Sequence, residues 1–246
     1  MNILALIPAR MGSSRFPGKP MAKILGKPMI GHVYENVAKC DLLAKIVVAT
    51  CDKEIADYIV SIGGQAVMTS DKHERASDRC AEALGYVEKE SGIQYDIVVM
   101  VQGDEPMTHA AMIVEAVTPM IDDPEIIVTN LLGDIKSLEE FEDRNCIKVV
   151  CDKQSNAIYF SREPIPTRSK TKDIIMKKQV CVIPFTRRFL LEYTARAPTP
   201  LEIVESVDMM RVLEHGLMVK MVPTKHQTYP VDTKADLRKV EELMRA

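Results

Sequence analysis

An α/β fold built on a mainly parallel sheet is predicted by three features of this 246-residue chain. Apolar runs of strand length alternate with stretches of helical periodicity, the pattern of βαβ units. The first run, residues 3–7, is continuous rather than alternating, as expected for a strand covered on both faces. A loop rich in glycine and proline follows it directly, where open α/β sheets bind their ligands. There is no internal repeat, low-complexity tract or long linker. Residues 1–246 are therefore read as one domain.

The elements follow in order. The first strand ends at Pro8, and the loop runs to about residue 27. Residues 28–39 read as a helix, with Pro28 tolerated in its first turn. Residues 46–50 form a second strand. Asp52 then caps a helix that places Ile55, Tyr58 and Ile59 on one face. Residues 65–68 give a short third strand after the Gly63-Gly64 turn. The helix over 76–90 turns Ala81, Leu84 and Val87 inward, with Ser77 or Asp78 as its cap. Residues 97–101 read as the most central strand, followed by a helix over 108–121 and a strand over 126–130. Residues 146–151 and 157–161 flank a turn at 152–156 and read as a hairpin. The stretch 164–178 is irregular and basic, and 179–185 is a single strand. One helix starts at Thr199-Pro200 and aligns Leu201, Val204, Val207, Met210 and Leu213. A strand at 218–222 follows, and a final helix carries Leu237, Val240 and Leu243. Regular alternation weakens after residue 130. That half is expected to be an insertion-rich lobe built on the same sheet, with a substrate and dimerisation role around residues 130–200.

Composition narrows the function. Lys plus Arg is 32 and Asp plus Glu is 35, a net charge of −3, which gives no footprint for nucleic acid or an anionic membrane. No apolar stretch approaches the roughly 20 residues of a membrane span. The N-terminal apolar run has no basic segment before it and is not expected to be a signal peptide. The 6 cysteines show neither C-x-x-C pairing nor zinc spacing, so free thiols in a reducing cytoplasm are expected. The 5 histidines are scattered, without metal spacing.

Four segments carry chemistry. Residues 8–20, PARMGSSRFPGKP, combine glycines with Arg10, Arg15 and Lys19, which suits a triphosphate. This is not a Walker A loop, because five residues separate Gly12 from Gly18 and Pro20 follows the lysine. Nor does it hold the glycine fingerprint of a dinucleotide site. The second segment, Gln102-Gly103-Asp104-Glu105-Pro106, ends an apolar strand and aims a carboxylate at the same crevice. Asp104 could hold a divalent ion that bridges phosphates, whereas Glu105 also suits a helix N-terminus. The third is Val231-Asp232-Thr233, a weak signal by itself, because an Asp before a Thr-capped helix is usually a cap. Beside Asp104 it would become a metal ligand, since two carboxylates about 4 Å apart repel by roughly 4 kcal/mol at an effective dielectric of 20. The fourth, residues 69–79, opens a helix with Arg75 and Arg79, which can reach an anion or a base edge, or merely charge the surface.

Together these segments resemble the 3-deoxy-manno-octulosonate (Kdo) cytidylyltransferases, or CMP-Kdo synthetases, and more broadly the CMP-sialate synthetases. The matching stretches are IPARMGSSRFPGKP, GKPMIGHVYE, VVATCDKEIAD, GGQAVMTSDKHERASDR, VQGDEP, YFSREPIP, PTPLEIVESVDMMRVLEHG and VDTKADLRKVE. They run in family order from residue 7 almost to the C-terminus. The resemblance implies a three-layer α/β/α nucleotidyltransferase domain, a cytoplasmic homodimer, and a role in lipopolysaccharide biosynthesis. It implies CTP and Mg²⁺, with the anomeric hydroxyl of a sugar acid attacking the α-phosphate and pyrophosphate leaving.

Carried over by position, Ala9, Arg10, Ser14, Arg15 and Lys19 resemble the nucleotide loop, and Arg79 a cytidine contact. Gln102 resembles a contact near nucleotide and sugar. Asp104 and Asp232 resemble the metal ligands, with Lys19 and Arg15 completing the catalytic set. Arg162 resembles a sugar-acid contact, and Gln179, Asp208 and Arg75 occupy further acceptor positions.

The chain departs from the Kdo-activating pattern at three places. Gln179-Val180-Cys181-Val182-Ile183 stands where that pattern reads His-Ile-Gly-Ile-Tyr. Asp208 replaces a glutamate. Arg75-Ala76-Ser77-Asp78-Arg79 replaces Ser-Gly-Thr-Asp-Arg. The acceptor is thus expected to be Kdo or a close 3-deoxy-2-ulosonate, with Arg75 suited to an additional negative charge. The alternatives are another acid, such as a nonulosonate or phosphonate, or a non-catalytic nucleotide-binding subunit.

Overall fold

The computed structural model describes residues 1–13, 15–170 and 175–245. In chain order the elements are β1 (Ile3–Ala9), β2 (Lys23–Ile24), β3 (Lys27–Pro28), α1 (Met29–Val37), β4 (Lys45–Thr50), α2 (Lys53–Ser61), β5 (Ala66–Met68), α3 (Ala76–Ser91), β6 (Ile97–Val101) and α4 (Ala110–Asp122). There follow β7 (Thr129–Asp134), α5 (Leu138–Glu142), β8 (Lys148–Cys151), β9 (Ala157–Ser161), β10 (Lys177–Val180), β11 (Val182–Thr186), α6 (Arg187–Thr194), α7 (Pro200–Glu205), α8 (Met209–Glu214), β12 (Lys220–Pro223) and α9 (Lys234–Arg245).

A five-stranded sheet runs β11-β6-β1-β4-β5, parallel except for β11. Every residue of β1 is buried, and its side chains divide by the period of two that a strand imposes. Leu4 and Leu6 join the core formed with α3, α6 and α8. Ile3, Ala5 and Ile7 join the core formed with α1, α2 and α4. Three layers result, as expected. The centre of the sheet is β1, however, and not the strand over 97–101, because β11 adds only one strand beyond β6.

A second five-stranded sheet runs β12-β7-β10-β8-β9 and touches the first through a Val128–Phe185 bridge. It corrects two sequence expectations, the first being that the half after residue 130 builds on the same sheet: β7, β8, β9, β10 and β12 pair with one another instead. Residues 179–185 are not one strand: β10 pairs with β7 and β8, whereas β11 pairs with β6. Cys181 is the crossing point, and its carbonyl accepts from the Gln102 amide at 3.2 Å. The strand expected at 126–130 likewise starts at Thr129 and runs on to Asp134.

The single helix expected from residue 200 is two. Ser206 breaks it, with φ 52° and ψ 49°. Leu201 and Val204 are exposed, while Val207 and Met210 are buried. The break draws its cause from side-chain partners. The Glu205 carboxylate accepts from Tyr159, Ser161 and the Arg162 amide, and Asp208 accepts from Ser77. Ser77 and Asp78 are accordingly not the cap of α3, whose N-cap position is Arg75. Asp52 stands at the N-cap of α2 but its side chain does not cap it; the carboxylate accepts from the Met11 amide instead, at 2.8 Å. Pro28 precedes α1 rather than opening it. In α9, Val240 is buried and Leu243 exposed. That helix packs with Phe16, Ile24 and Met29, so the end of the chain closes on the first loop.

Candidate active site

The site forms where β1 and β6 end side by side. Gly103 permits their approach, since a Cβ there would stand 2.7 Å from the Pro8 carbonyl oxygen. The first loop is folded by its own backbone. Gly18, at φ 75°, donates to the Met11 carbonyl at 2.9 Å and starts the tight turn Lys19–Met21. The turn delivers Lys19 to two carboxylates from distant parts of the chain.

The Lys19 Nζ donates to Asp104 Oδ2 at 2.6 Å, to Asp232 Oδ1 at 3.0 Å and to the Val231 carbonyl at 3.2 Å. The Val231 amide returns a 2.9 Å bond to the Asp104 carbonyl. Arg15 Nη2 adds a 3.0 Å contact to Asp232, and its Nη1 reaches Asn145. Burial pushes the Lys19 ammonium down, but Asp104 and Asp232 outweigh it and the net displacement is upward. Both carboxylates therefore meet at Lys19, and Asp232 faces Arg15 as well.

Lys19, Asp104 and Asp232 line a cavity of about 390 Å³. Ala9, Arg10, Gly12, Arg15, Lys19, Arg75, Arg79 and Gln102 line it. Arg10 Nη1 is braced by the His73 carbonyl at 3.1 Å. Arg79 is 2% exposed; its Nη1 donates to Thr69 and Ser70, and its buried Nη2 has no partner among the described residues. A buried guanidinium with an unused donor at a cavity wall is suited to a polar ligand. Ser14 lies outside the described residues.

A larger cavity, about 730 Å³, adjoins it. Gln102, Glu105, Arg162, Gln179, Cys181 and Asp208 line it, and Arg15, Gln102, Asp104, Ser206 and Asp232 are common to both cavities. Arg162 spends much of its guanidinium on main-chain carbonyls, those of Glu205 (2.6 Å), Arg144 (3.0 Å) and Ser206 (3.2 Å). Gln179 donates to Asn130 at 2.6 Å. Burial pushes the Asp208 carboxyl up, against its bond from Ser77 and the nearby Arg75. Arg75 stands in the smaller cavity, not with the other acceptor positions. It donates to Ser206 Oγ at 3.1 Å and lies 3.6 Å from Glu202 and 3.7 Å from Asp208.

The geometry gives Glu105 a buried place at the site and adds Thr228 and Asn145, which no motif marked. Glu105 is 3% exposed and bonded by Thr228, and burial raises its carboxyl to about 7. Asn145 braces Arg15. Neither Thr228 nor Asn145 stands in a segment whose composition signals a site.

The donor set suits Mg²⁺. It takes one or two protein carboxylates and completes its shell with water and phosphate, and Asp104 and Asp232 already converge on one cation. No group of three His, Cys, Asp or Glu able to hold a metal occurs among the described residues, so phosphate would have to share the ion. No helix among them is long and apolar enough to cross a membrane.

The model of the cytidylyltransferase family matches residues 4–222. A Geobacter metallireducens protein named 3-deoxy-manno-octulosonate cytidylyltransferase is 43% identical, over 98% of this chain and 97% of its own length. The Trichlorobacter lovleyi protein of the same name is 42% identical over 100% of this chain and 99% of its own. A solved CMP:2-keto-3-deoxy-manno-octonic acid synthetase, complexed with CTP, superposes with TM-score 0.89 and 34% identity, covering 100% of this chain and 99% of that one. A 4-diphosphocytidyl-2C-methyl-D-erythritol synthase from Anaerococcus prevotii, at TM-score 0.65 and 12% identity over 100% and 99% of the two chains, shares the fold alone. On full-length identity above 40% and a family match over most of its residues, this chain belongs to the 3-deoxy-manno-octulosonate cytidylyltransferase family.

Proposed function

We propose that the protein transfers CMP from CTP to the anomeric hydroxyl of Kdo and releases pyrophosphate, with Mg²⁺ as its cofactor. One observation carries this: Asp104 and Asp232 converge on Lys19 at the partition between a basic cavity and a second, larger one. Such a partition is where an α-phosphate must lie to be attacked by one substrate while still attached to the other.

The roles follow from the contacts. Arg10, Arg15 and Lys19 neutralise the triphosphate and hold it in one orientation. In-line displacement at phosphorus depends on positioning and charge neutralisation more than on covalent help from the protein. Arg79 offers to the cytidine its Nη2, which has no partner among the described residues. Gln102 reaches both substrates from the shared wall. Arg162, Gln179 and Asp208 shape the acceptor cavity. Asp104 and Asp232 hold the divalent cation, which when bound supplies further neutralisation to the phosphates. A cytoplasmic homodimer is part of the proposal. The lobe around residues 130–200 with α7 presents Ile158, Ile203 and Val204 to solvent, apolar surface suited to a second copy.

Pyrophosphate release should be measured with CTP, Mg²⁺ and a panel containing Kdo, a nonulosonate and a phosphonate. Turnover with CTP and Kdo is expected. Turnover with UTP or ATP but not CTP would sink the base assignment, and CTP binding without turnover of any acid would mark a silent binder. Light scattering should give twice the chain mass.

A further inference from the structure

Leu25, Ser155 and Ser206 are the non-glycine residues with positive φ among those described. Leu25 turns the β2–β3 hairpin and Ser155 the β8–β9 hairpin, where a tight turn needs that conformation. Ser206 serves no hairpin. It breaks α7 from α8 at the wall shared by the two cavities. Non-glycine residues hold this conformation only where their surroundings over-determine it.

The surroundings of Ser206 are two arginines, one from each cavity. From the smaller cavity, Arg75 Nη1 donates to the Ser206 hydroxyl at 3.1 Å. From the larger, Arg162 Nη2 donates to its carbonyl at 3.2 Å, and Nε to the Glu205 carbonyl at 2.6 Å. Arg75 is itself held by Glu202 at 3.6 Å, and Glu202 is fixed by a buried two-bond pair with Arg211. Ser77, two residues on, holds Asp208 in the wall of the larger cavity at 2.8 Å. The start of α3 thus carries Arg79 toward the smaller cavity and the props of the larger one within five residues.

We infer that Arg75 and Ser206 are a positioning pair through which the nucleotide cavity sets the shape of the acceptor cavity. Arg75 does not bind the acid. Its guanidinium is committed to Ser206, Glu202 and Asp208, and it acts by fixing residues 205–208. The inference rests on the proposed cytidylyl transfer for its kinetic test, and on CTP binding alone for its second test.

The variants are Arg75→Ala, Ser206→Gly and the pair together. Glycine keeps the backbone conformation while removing the hydroxyl. KM for Kdo is read from turnover, and Kd for CTP from calorimetry without acid. Each single change should raise the acid KM about tenfold, the scale of one hydrogen bond to a charged donor, with the CTP Kd moving less than about threefold. The double variant should match Arg75→Ala, because losing the arginine already removes the bond that Ser206→Gly removes. An unchanged acid KM, a CTP Kd that rises as much as the acid KM, or effects that multiply in the double variant would overturn the pair. If Arg75→Ala does not fold, Ser206→Gly decides alone. If the wild-type protein turns over no acid, the functional proposal fails and hydrogen exchange decides the pair. CTP should then slow exchange at residues 205–208 in the wild type but not in Ser206→Gly, and equal exchange with and without CTP in the wild type overturns it.

Discussion

The ammonium of Lys19 stands 2.6 Å from the carboxylate of Asp104, tying the first loop of the chain to the end of β6. Asp232 completes the arrangement from the last quarter of the sequence, 213 residues away from the lysine. Both carboxylates are only partly exposed, at 25% and 13%, so water screens their charges incompletely. Asp104→Asn and Asp232→Asn keep the volume and hydrogen bonding of each side chain but remove its charge. Each should lower pyrophosphate release by at least about 10²- to 10³-fold, the scale for losing one electrostatic element of a transition-state site, and leave the melting temperature within a few degrees. A wild-type rate in either variant would remove that carboxylate from the mechanism.

Lys19 also holds the two carboxylates together when no other cation does. Replacing it by alanine leaves Asp104 without its cation and Asp232 with Arg15 alone. Lys19→Ala should destabilise the protein without Mg²⁺ by about 2 kcal/mol, below the cost of breaking a fully buried pair. Millimolar Mg²⁺ should return most of that loss, since a ligand bound only by the folded state stabilises it. Thermal melts of wild type and variant, with Mg²⁺ and with chelator, check this. An identical deficit in both conditions would mean that the metal does not use these carboxylates.

Arg79 should report on the nucleotide rather than the acid. It is buried, keeps Nη1 on Thr69 and Ser70, and has Nη2 free of protein partners among the described residues. Lysine preserves the charge but cannot present two separated donors on one plane. Arg79→Lys should weaken CTP binding by about tenfold or more, the cost of one charge-assisted bond, with the KM for acid changed far less. Calorimetry with CTP gives the answer, and an unchanged Kd removes Arg79 from the base or ribose contacts.

Much of this site could be read from the chain because its parts stand at strand ends with their own local signals. The glycines and cations of residues 8–20, the carboxylate after the apolar run 97–101, and the Asp232-Thr233 start of the last helix each mark a loop at the mouth of a sheet. What could not be read depends on partners far away in sequence. The period of Leu201, Val204, Val207, Met210 and Leu213 runs unbroken through Ser206, and distant partners, among them Arg75, Tyr159, Ser161, Arg162 and Ser77, decide that the helix stops there. Gln179 to Phe185 alternates as one strand, yet two sheets divide it at Cys181. Asp52 has the position and chemistry of a cap, but the Met11 amide competes for its carboxylate and wins. Local propensity sets a menu at such places, and the tertiary partner chooses from it.

The thiols should be quiet. Cys40, Cys51, Cys80, Cys146, Cys151 and Cys181 are all free, and burial pushes each of them up, Cys146 to about 11. The thiolate is the reactive form, so alkylation at neutral pH is slow wherever the thiol is held protonated. Iodoacetamide at pH 7.5 should label the native protein at least about tenfold more slowly than the protein in denaturant, since one pKa unit is a tenfold change in thiolate. Peptide mass spectrometry locates any exception. Fast native labelling of Cys181, which lines the larger cavity, would show that reagents reach its thiol through that cavity.

The Glu202–Arg211 pair supplies a stability test that also reaches the site. Both side chains are buried, at 0% and 1% exposure, and joined by two bonds of 2.6 Å. The Arg211 guanidinium also donates to the Tyr193 and Arg196 carbonyls and lies over the Tyr193 ring. Removing one buried charge strands the other, at a cost of about 3–5 kcal/mol. Glu202→Gln and Arg211→Met should each lose that much in denaturant unfolding. Exchanging both partners for apolar groups, as Glu202→Leu with Arg211→Met, should cost less than either single change, because no charge is left unpaired. The function should not follow the stability. The double variant still lacks the carboxylate that holds Arg75, so its acid KM should stay raised while its melting temperature recovers. Recovery of both together would mean that Glu202 serves only the core.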